Sequence, residues 1–379
     1  MNKNIVLYVN DNGNKSFDEY PINEIDILIF TILSYNNFSI LSECKINIFK
    51  NLYNDLIKNN SMGNGSARDD GYIILKAISN KKRYSNIKLY NYKYEIGKDY
   101  QFGAITIIAE NILYIIFEGT DATIPGWKED FSISYKYPVK AHELAIQYIN
   151  DVLRKTKMQC VISGHSKGGN LALIASMNIK ESLMDRVLKV YSFDGPGLRD
   201  EEYNSKNYKL IKNKLINIVP NQSIIGMILN QDNIVTILSN EIGIMQHSAL
   251  TWQVSDNKLV RTNISDFSKN IKSIITNWLN NYDYNDREKI TNGLFLLFEE
   301  NGIKSFPELG ENKIKNILEM IKTSVTMDKN TRLFILESLK DLVKQINMQL
   351  LSSKKEKTKR ILENLENDIN TYLSIIKNK

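Results

Sequence analysis

The sequence is short of the residues on which several common designs depend. It has only two cysteines, Cys44 and Cys160, so no disulfide framework can staple it and a reducing compartment is expected. It has three histidines, so a catalytic base, where one is needed, must come from very few positions. No apolar run approaches the length of a membrane span. The amino terminus, MNKNIVLYVNDNGNK, lacks the long apolar core of a signal peptide. The expectation is a soluble, cytoplasmic protein without a transmembrane segment. Charge of one sign is not in large excess either. The net charge of +6 is spread over many lysines and does not demand a nucleic-acid partner. No internal repeat stands out.

What is present is ordinary globular material. Hydrophobic content of 42% and charged content of 24% suit a folded chain, and 379 residues suffice for one large domain with an appendage or for two domains. The stretch MQCVISGHSKGGNLALIA (Met158 to Ala175) organises the rest. A short apolar run enters it, a tight turn Gly164-His165-Ser166-Lys167-Gly168 follows, and LALIASMNI leaves it as a helix. Strand, sharp turn and helix with serine at the apex is the context in which G-x-S-x-G reads as a nucleophile elbow. The flanking glycines avoid crowding in a strained turn, and the helix start favours negative charge developing there. A Gly-rich connection with an incidental serine would share the five letters but would not need the strand and helix around them.

Strands are expected over Ile87 to Ile96, Phe102 to Ile108, Ile112 to Phe117, Leu188 to Phe193, Leu215 to Val219 and Ile234 to Leu238. Helices are expected over Pro21 to Ser34, capped by Asn23, and over Ile46 to Ile57 and Val139 to Val152, with Ser61 to Gly71 as loop. Strands alternating with helices imply an α/β fold, a mostly parallel sheet with helices on both faces. Ligands on such sheets bind at the carboxyl ends of the strands. From Tyr282 onward the pattern is helical, so the expected division is a main domain of residues 1–281 and a helical region of residues 282–379. In the latter, Ile361, Leu365, Ile369, Tyr372 and Ile376 make one apolar stripe. The basic run Lys354 to Arg360 reads as a solvated helix face.

A serine hydroxyl needs a base. His165 is inside the elbow turn, and His142 precedes the elbow in a helix. Only His247, in a loop after the last core strand, satisfies the order nucleophile first and histidine last. Three arrangements for the acid stay open: Asp194 at the end of the strand after the elbow helix, Asp232 before the final strand, or a Ser–His pair with no carboxylate, Ser223 occupying the next strand end. The strand ending in Gly119-Thr120 suits a second oxyanion donor, the Thr120 N–H, beside the N–H of Lys167 after the nucleophile. A plain strand-end turn, with Trp127 as a core anchor, would look the same.

FEGTDATIPGWKEDF (Phe117 to Phe131), SGHSKGGNLAL (Ser163 to Leu173), SFDGPGL (Ser192 to Leu198) and IMQHSALTW (Ile244 to Trp252), with PINEIDILIFTILSY (Pro21 to Tyr35) and PNQSIIGMIL (Pro220 to Leu229), together resemble a largely uncharacterised bacterial group. These are lipase-like α/β hydrolases related to the class 3 lipases. The resemblance spans about the first 255 residues. It implies the α/β-hydrolase fold, Ser166 as nucleophile, His247 as base, and Thr120 and Lys167 at the oxyanion positions. Two departures follow from the comparison. Class 3 lipases usually carry arginine where this chain has Glu118, and they carry their acid where it has Ser223. Pancreatic-type lipases place the acid one strand earlier, which puts Asp194 first. The expected function is hydrolysis of a lipid or acyl ester through Ser166, His247 and Asp194, with no cofactor or metal and no nucleic acid. The other reading is a hydrolase fold used only for binding, with the C-terminal helices as its surface. Peripheral membrane contact is compatible with either.

Overall fold

Eight strands form one sheet in strict sequence order: β1 (Asn47–Ile48), β2 (Lys88–Ile96), β3 (Gln101–Ala109), β4 (Ile112–Phe117), β5 (Cys160–His165), β6 (Val187–Phe193), β7 (Leu215–Pro220) and β8 (Ile234–Ile237). The first four pair antiparallel and β4 to β8 run parallel. The structure is a computed structural model that describes residues 3–41, 45–63, 67–121, 123–309, 313–350 and 356–377. Cys44 and the side chains of the basic run Lys354 to Arg360 lie outside the described residues.

The change of direction follows from the connections. β3 and β4 are joined by the two-residue turn Glu110-Asn111, with φ of 47° and 58°, which closes an antiparallel hairpin. From β4 onward the chain returns through longer crossovers, and parallel pairing results. Side chains alternate across β3. Ile105 and Ile107 join the core under the N-terminal helices, while Thr106 bonds Tyr148 Oη of the helix Lys140–Arg154 at 3.0 Å. On the N-terminal side, Thr31 Oγ1 of the helix Glu24–Leu33 meets Ser163 Oγ of β5 at 2.8 Å. Helices thus cover both faces, the sheet is mostly parallel where it carries the elbow, and the architecture is an α/β-hydrolase fold followed by C-terminal helices.

The helix Glu24–Leu33 starts at Asn23 as its sequence demands. Asn23 Oδ1 accepts from Ile25 N, and Asp26 closes a capping box. Asp26 is also buried against Arg83 Nη2 at 2.6 Å and Tyr84 Oη at 2.9 Å, so a cap residue doubles as an anchor. The expected helix Ile46 to Ile57 is instead β1, a 3₁₀ turn and the helix Tyr53–Asn59. The expected loop Ser61 to Gly71 includes the first turn of a helix, Ala67–Ile78, whose Asp69 and Asp70 suit the positive end of its dipole.

The chain divides into two compact units, residues 1–121 with 138–268 and residues 122–137 with 269–379. The division thus falls elsewhere than the expected 281/282. The second unit has its own core, in which Leu297, Leu318, Ile321, Ile335, Leu336 and Ile369 are buried. Trp127 packs against that core, and Ile124 N donates to Lys304 O at 3.1 Å. The segment after β4 therefore belongs with helices that follow it by more than a hundred residues. Leu365, Ile369, Tyr372 and Ile376 of the C-terminal stripe pack into this same core. Among the described residues no helix is long and apolar enough to cross a membrane.

Candidate active site

The elbow is built by burial and strain together. Every residue from Cys160 to Met177 is buried except Ser166, which stands half-exposed at the turn. Its backbone lies at φ 58°, ψ −131°, a conformation that costs about 1–3 kcal/mol and persists only where its surroundings enforce it. Enforcement comes from both sides. Ser166 N donates to Phe193 O at 3.0 Å, tying the turn to the end of β6. A methyl group on Gly168 would lie 2.2 Å from the Phe117 carbonyl oxygen. That close approach is what sets the start of the elbow helix (Lys167–Met177) against the end of β4, where Gly119 and Thr120 follow. Gly168, the residue after Lys167, thereby lies against the strand end that leads to Thr120. The Lys167 side chain turns away and is buried, its Nζ donating to Gln101 O at 2.7 Å and Gln101 Oε1 at 2.8 Å.

Asp194 follows β6 directly, with φ 47°, and its N–H continues the ladder to Ile218 O at 2.8 Å. Its carboxylate is fully partnered. Oδ2 meets His247 Nδ1 at 2.6 Å, and Oδ1 accepts from Ser223 Oγ at 2.5 Å and Gly226 N at 3.1 Å. A side chain at Gly226 would lie 2.5 Å from Asp194 Oδ1, so glycine there makes room for the acid. The carboxylate is 1% exposed and the imidazole 26%. With Nδ1 donating to the carboxylate, neutral His247 keeps the Nε2 lone pair that a general base uses. Ser166 Oγ makes no hydrogen bond among the described residues, to His247 or to another group; such contacts are often long in ligand-free sites.

The other candidates for the acid sort themselves by position. Asp232 is occupied elsewhere, with Tyr203 Oη at 3.0 Å, Tyr208 Oη at 3.1 Å and Lys212 Nζ at 2.7 Å. Ser223 takes part through the carboxylate, as a donor to Asp194. The remaining histidines are buried and neutral. Burial pushes His142 down to about 4, and its Nε2 lies 2.8 Å from Asn170 Oδ1. Burial, followed by the neighbouring His247, pushes His165 down to about 3. His165 Nε2 lies 2.8 Å from His247 O, and the two rings stack with centroids 4.6 Å apart. The loop bearing His247 is braced again by Gln246. Its Oε1 accepts from Gln222 N at 2.9 Å, and its carbonyl accepts from Trp252 Nε1 at 2.7 Å.

Glu118 finds its cation across the fold. Arg68 Nη2 lies 3.2 Å from Glu118 Oε1 and 3.7 Å from Asp121 Oδ2. Burial nevertheless pushes the Glu118 carboxyl up to about 8, because the pull of Arg68 does not offset the loss of water. A carboxyl raised this way contributes stability that is complete below its ordinary value of 4.5 and is lost as pH rises through about 8. The unfolding free energy of the wild type, read from urea titrations, should therefore fall between about pH 6 and 9, by roughly 2–3 kcal/mol from this group. Glu118→Gln should fall less over the same interval; an equal fall would place the titration elsewhere.

Sequence reasoning did not find Arg68, Asp70 or Tyr35, all of which reach the site from the N-terminal third. The signal for the first two was the pair Asp69-Asp70 ahead of Ile73-Ile74-Leu75, a helix start inside a stretch whose glycines and serines read as loop. Among the described residues no group of three or more His, Cys, Asp or Glu is placed to hold a metal ion.

A model of the Mbeg1-like family matches residues 78–296, more than half of the chain. The chain belongs to the Mbeg1-like family. This lipase-like family match takes in Thr120, Ser166, Asp194 and His247 and leaves Tyr35, Arg68 and Asp70 outside it. No curated protein matches this Mbeg1-like chain. Among solved structures it is similar to M37 lipase, at 15% identity and a TM-score of 0.36 over 53% of this chain and 68% of that one. It is also similar to a fungal lipase in a lipase–inhibitor complex, at 14% identity and a TM-score of 0.36 over 57% of this chain and 80% of that one.

Proposed function

We propose that this protein is a serine hydrolase that cleaves a carboxylic ester of a lipid or another acyl compound. The observation that carries the reading is the 2.6 Å contact between Asp194 and His247 Nδ1, made beside a strained serine turn. Ser166 Oγ attacks the ester carbonyl while His247 Nε2 takes its proton. The N–H groups of Thr120 and Lys167 stabilise the oxyanion, helped by the helix that Lys167 opens. The tetrahedral adduct expels the alcohol, which takes the proton from His247, and water then releases the acid from the acyl-serine by the same steps. Asp194 holds the imidazole in the tautomer this needs and stabilises the imidazolium. The binding-only reading drew on the missing carboxylate at Ser223, and Asp194 supplies a carboxylate to His247 in its place.

A fluorophosphonate probe tests this. Wild-type protein should be labelled at one site, and Ser166→Ala should not be labelled. Folded wild-type protein that resists the probe would sink the hydrolase reading.

The choice of an apolar ester is supported by the loop before His247. Ile242, Ile244 and Met245 are 75%, 54% and 62% exposed, an unusual concentration of apolar surface beside a polar site. Replacing all three by serine should lower turnover of a long-chain or dispersed ester by about tenfold, while a short soluble ester is cleaved at the wild-type rate. Equal losses on both would argue that the loop acts on His247 rather than on substrate.

A further inference from the structure

Three side chains from one part of the N-terminal third each reach a different catalytic segment. Tyr35 Oη lies 2.9 Å from His165 Nδ1, in the residue before Ser166. Arg68 pairs with Glu118 and Asp121, on either side of Gly119-Thr120. Asp70 Oδ2 accepts from Ser248 Oγ at 2.6 Å, in the residue after His247. The three donors of order are themselves tied together. Asn36 Nδ2 donates to Gly71 O at 2.8 Å, Arg68 Nη1 reaches Tyr35 O at 3.5 Å, and a methyl on Gly71 would lie 2.9 Å from Tyr35 Cβ.

We propose that Tyr35, Arg68 and Asp70 together form a bracket that holds the elbow, the oxyanion strand end and the histidine loop in register. Tyr35, Arg68 and Asp70 are its positioning residues. The proposal rests on the reading of Ser166, His247 and Asp194 as the relay.

The Tyr35 arm shows how the bracket acts. The His247 carbonyl can only accept, so His165 Nε2 carries the proton of the neutral ring. His165 Nδ1 is then an acceptor, and Tyr35 donates to it. Tyr35 thereby fixes the tautomer of a ring whose other nitrogen holds the main chain of the base. Asp70 grips the same loop one residue further on, through Ser248. Between them the two arms hold the chain at the His247 carbonyl and at the next residue, independently of Asp194. Arg68 supplies the third constraint by pairing with Glu118 and Asp121, the residues that flank Gly119-Thr120. Displacements near 1 Å in such a constellation can cost about 100-fold in rate, so three separate anchors on three segments have a kinetic purpose that packing alone does not require.

The test uses the full chain and four variants: Tyr35→Phe, Arg68→Gln, Asp70→Ala and Asp70→Asn. Four readouts are taken: the rate of fluorophosphonate labelling, kcat and KM on a p-nitrophenyl ester, the low-field proton resonance of the His247–Asp194 hydrogen bond, and the thermal midpoint. Asp70→Ala should lower kcat and the labelling rate by about 10- to 100-fold with KM little changed, and should shift or broaden the low-field resonance. Asp70→Asn should recover most of the rate, because its amide oxygen still accepts from Ser248. Tyr35→Phe, which removes one hydroxyl, should cost about tenfold, the worth of one buried hydrogen bond. Folded variants that label and turn over at wild-type rates would overturn the bracket. So would Asp70→Asn being as slow as Asp70→Ala. If Asp70→Ala does not fold, Tyr35→Phe and Asp70→Asn decide. Failure of the underlying reading looks different, because then the wild type itself is neither labelled nor active. The low-field resonance still judges the bracket in that case, which stands if Asp70→Ala or Tyr35→Phe moves the resonance and falls if neither does.

Discussion

Asp194→Asn should lower kcat on an ester substrate by about 10⁴-fold with little change in KM. The asparagine amide would occupy the same space, but its NH₂ would face His247 Nδ1 in place of a carboxylate oxygen 2.6 Å away. The imidazole would then hold its proton on Nε2, where the base is needed, and the imidazolium formed during attack would lose its counter-charge. Asp232→Asn should change kcat by less than about threefold, since that carboxylate is bound to Tyr203, Tyr208 and Lys212. Ser223→Ala separates two roles for the hydroxyl at the end of β7. As a donor to Asp194 Oδ1 it should be worth about tenfold in kcat. As a residue needed only for folding it would lower the thermal midpoint and leave kcat alone. Steady-state kinetics on the three variants would settle the assignment. A wild-type rate for Asp194→Asn would remove the carboxylate from the mechanism.

The second large effect is structural. Gly168→Ala should destabilise the protein by about 3 kcal/mol or more, or prevent its accumulation, because the added methyl would sit 2.2 Å from the Phe117 carbonyl oxygen. That neighbour is backbone of a buried strand between two paired strands and has nowhere to go. Gly243→Ala is the comparison. Its φ is +56°, so alanine is strained there, yet nothing lies within 4 Å of the new methyl. Its cost should stay near 1 kcal/mol. Chemical denaturation midpoints of the two variants would show the difference. Similar midpoints would mean that the elbow can open away from β4, and the proposal that Thr120 and Lys167 share an oxyanion would lose its support.

Much of the fold is local and so could be read from the chain. β4 has the residues Ile112 to Phe117 that its apolar run demanded, and β2, β3, β6, β7 and β8 differ from expectation only at their ends. Asn23 capped its helix because a side-chain oxygen there satisfies N–H groups that nothing else can reach. The elbow was legible because glycine at close approaches and serine at an apex leave letters in fixed order. His247 was legible through scarcity, since two other histidines could be set aside by position.

Where the letters fell short, the deciding contacts were distant in sequence. The helix Ala67–Ile78 was hidden by its loop-like start. β1 is only two residues long and owes its existence to β2, some forty residues on. The acid shows the limit most clearly. Asp194 and Asp232 both sit at strand boundaries with turn residues around them, and no local rule separates them. In the structure one contacts His247 and the other is surrounded by two tyrosines and a lysine.

By itself the sequence determined most of the strands, the helix capped by Asn23 and the strained serine turn, and it singled out His247 as the candidate base. These depend on burial period, capping and glycine sterics within a few residues of each site. Tertiary structure alone decided that Asp194 meets His247, that Glu118 finds Arg68, that residues 122–137 join the later helices, and that Tyr35 and Asp70 reach the neighbours of Ser166 and His247. Each of those pairings spans dozens of residues or more. Such pairs meet because a sheet of buried strands and the helices covering it fix where distant chain segments lie, and that geometry is written in no single stretch of the chain.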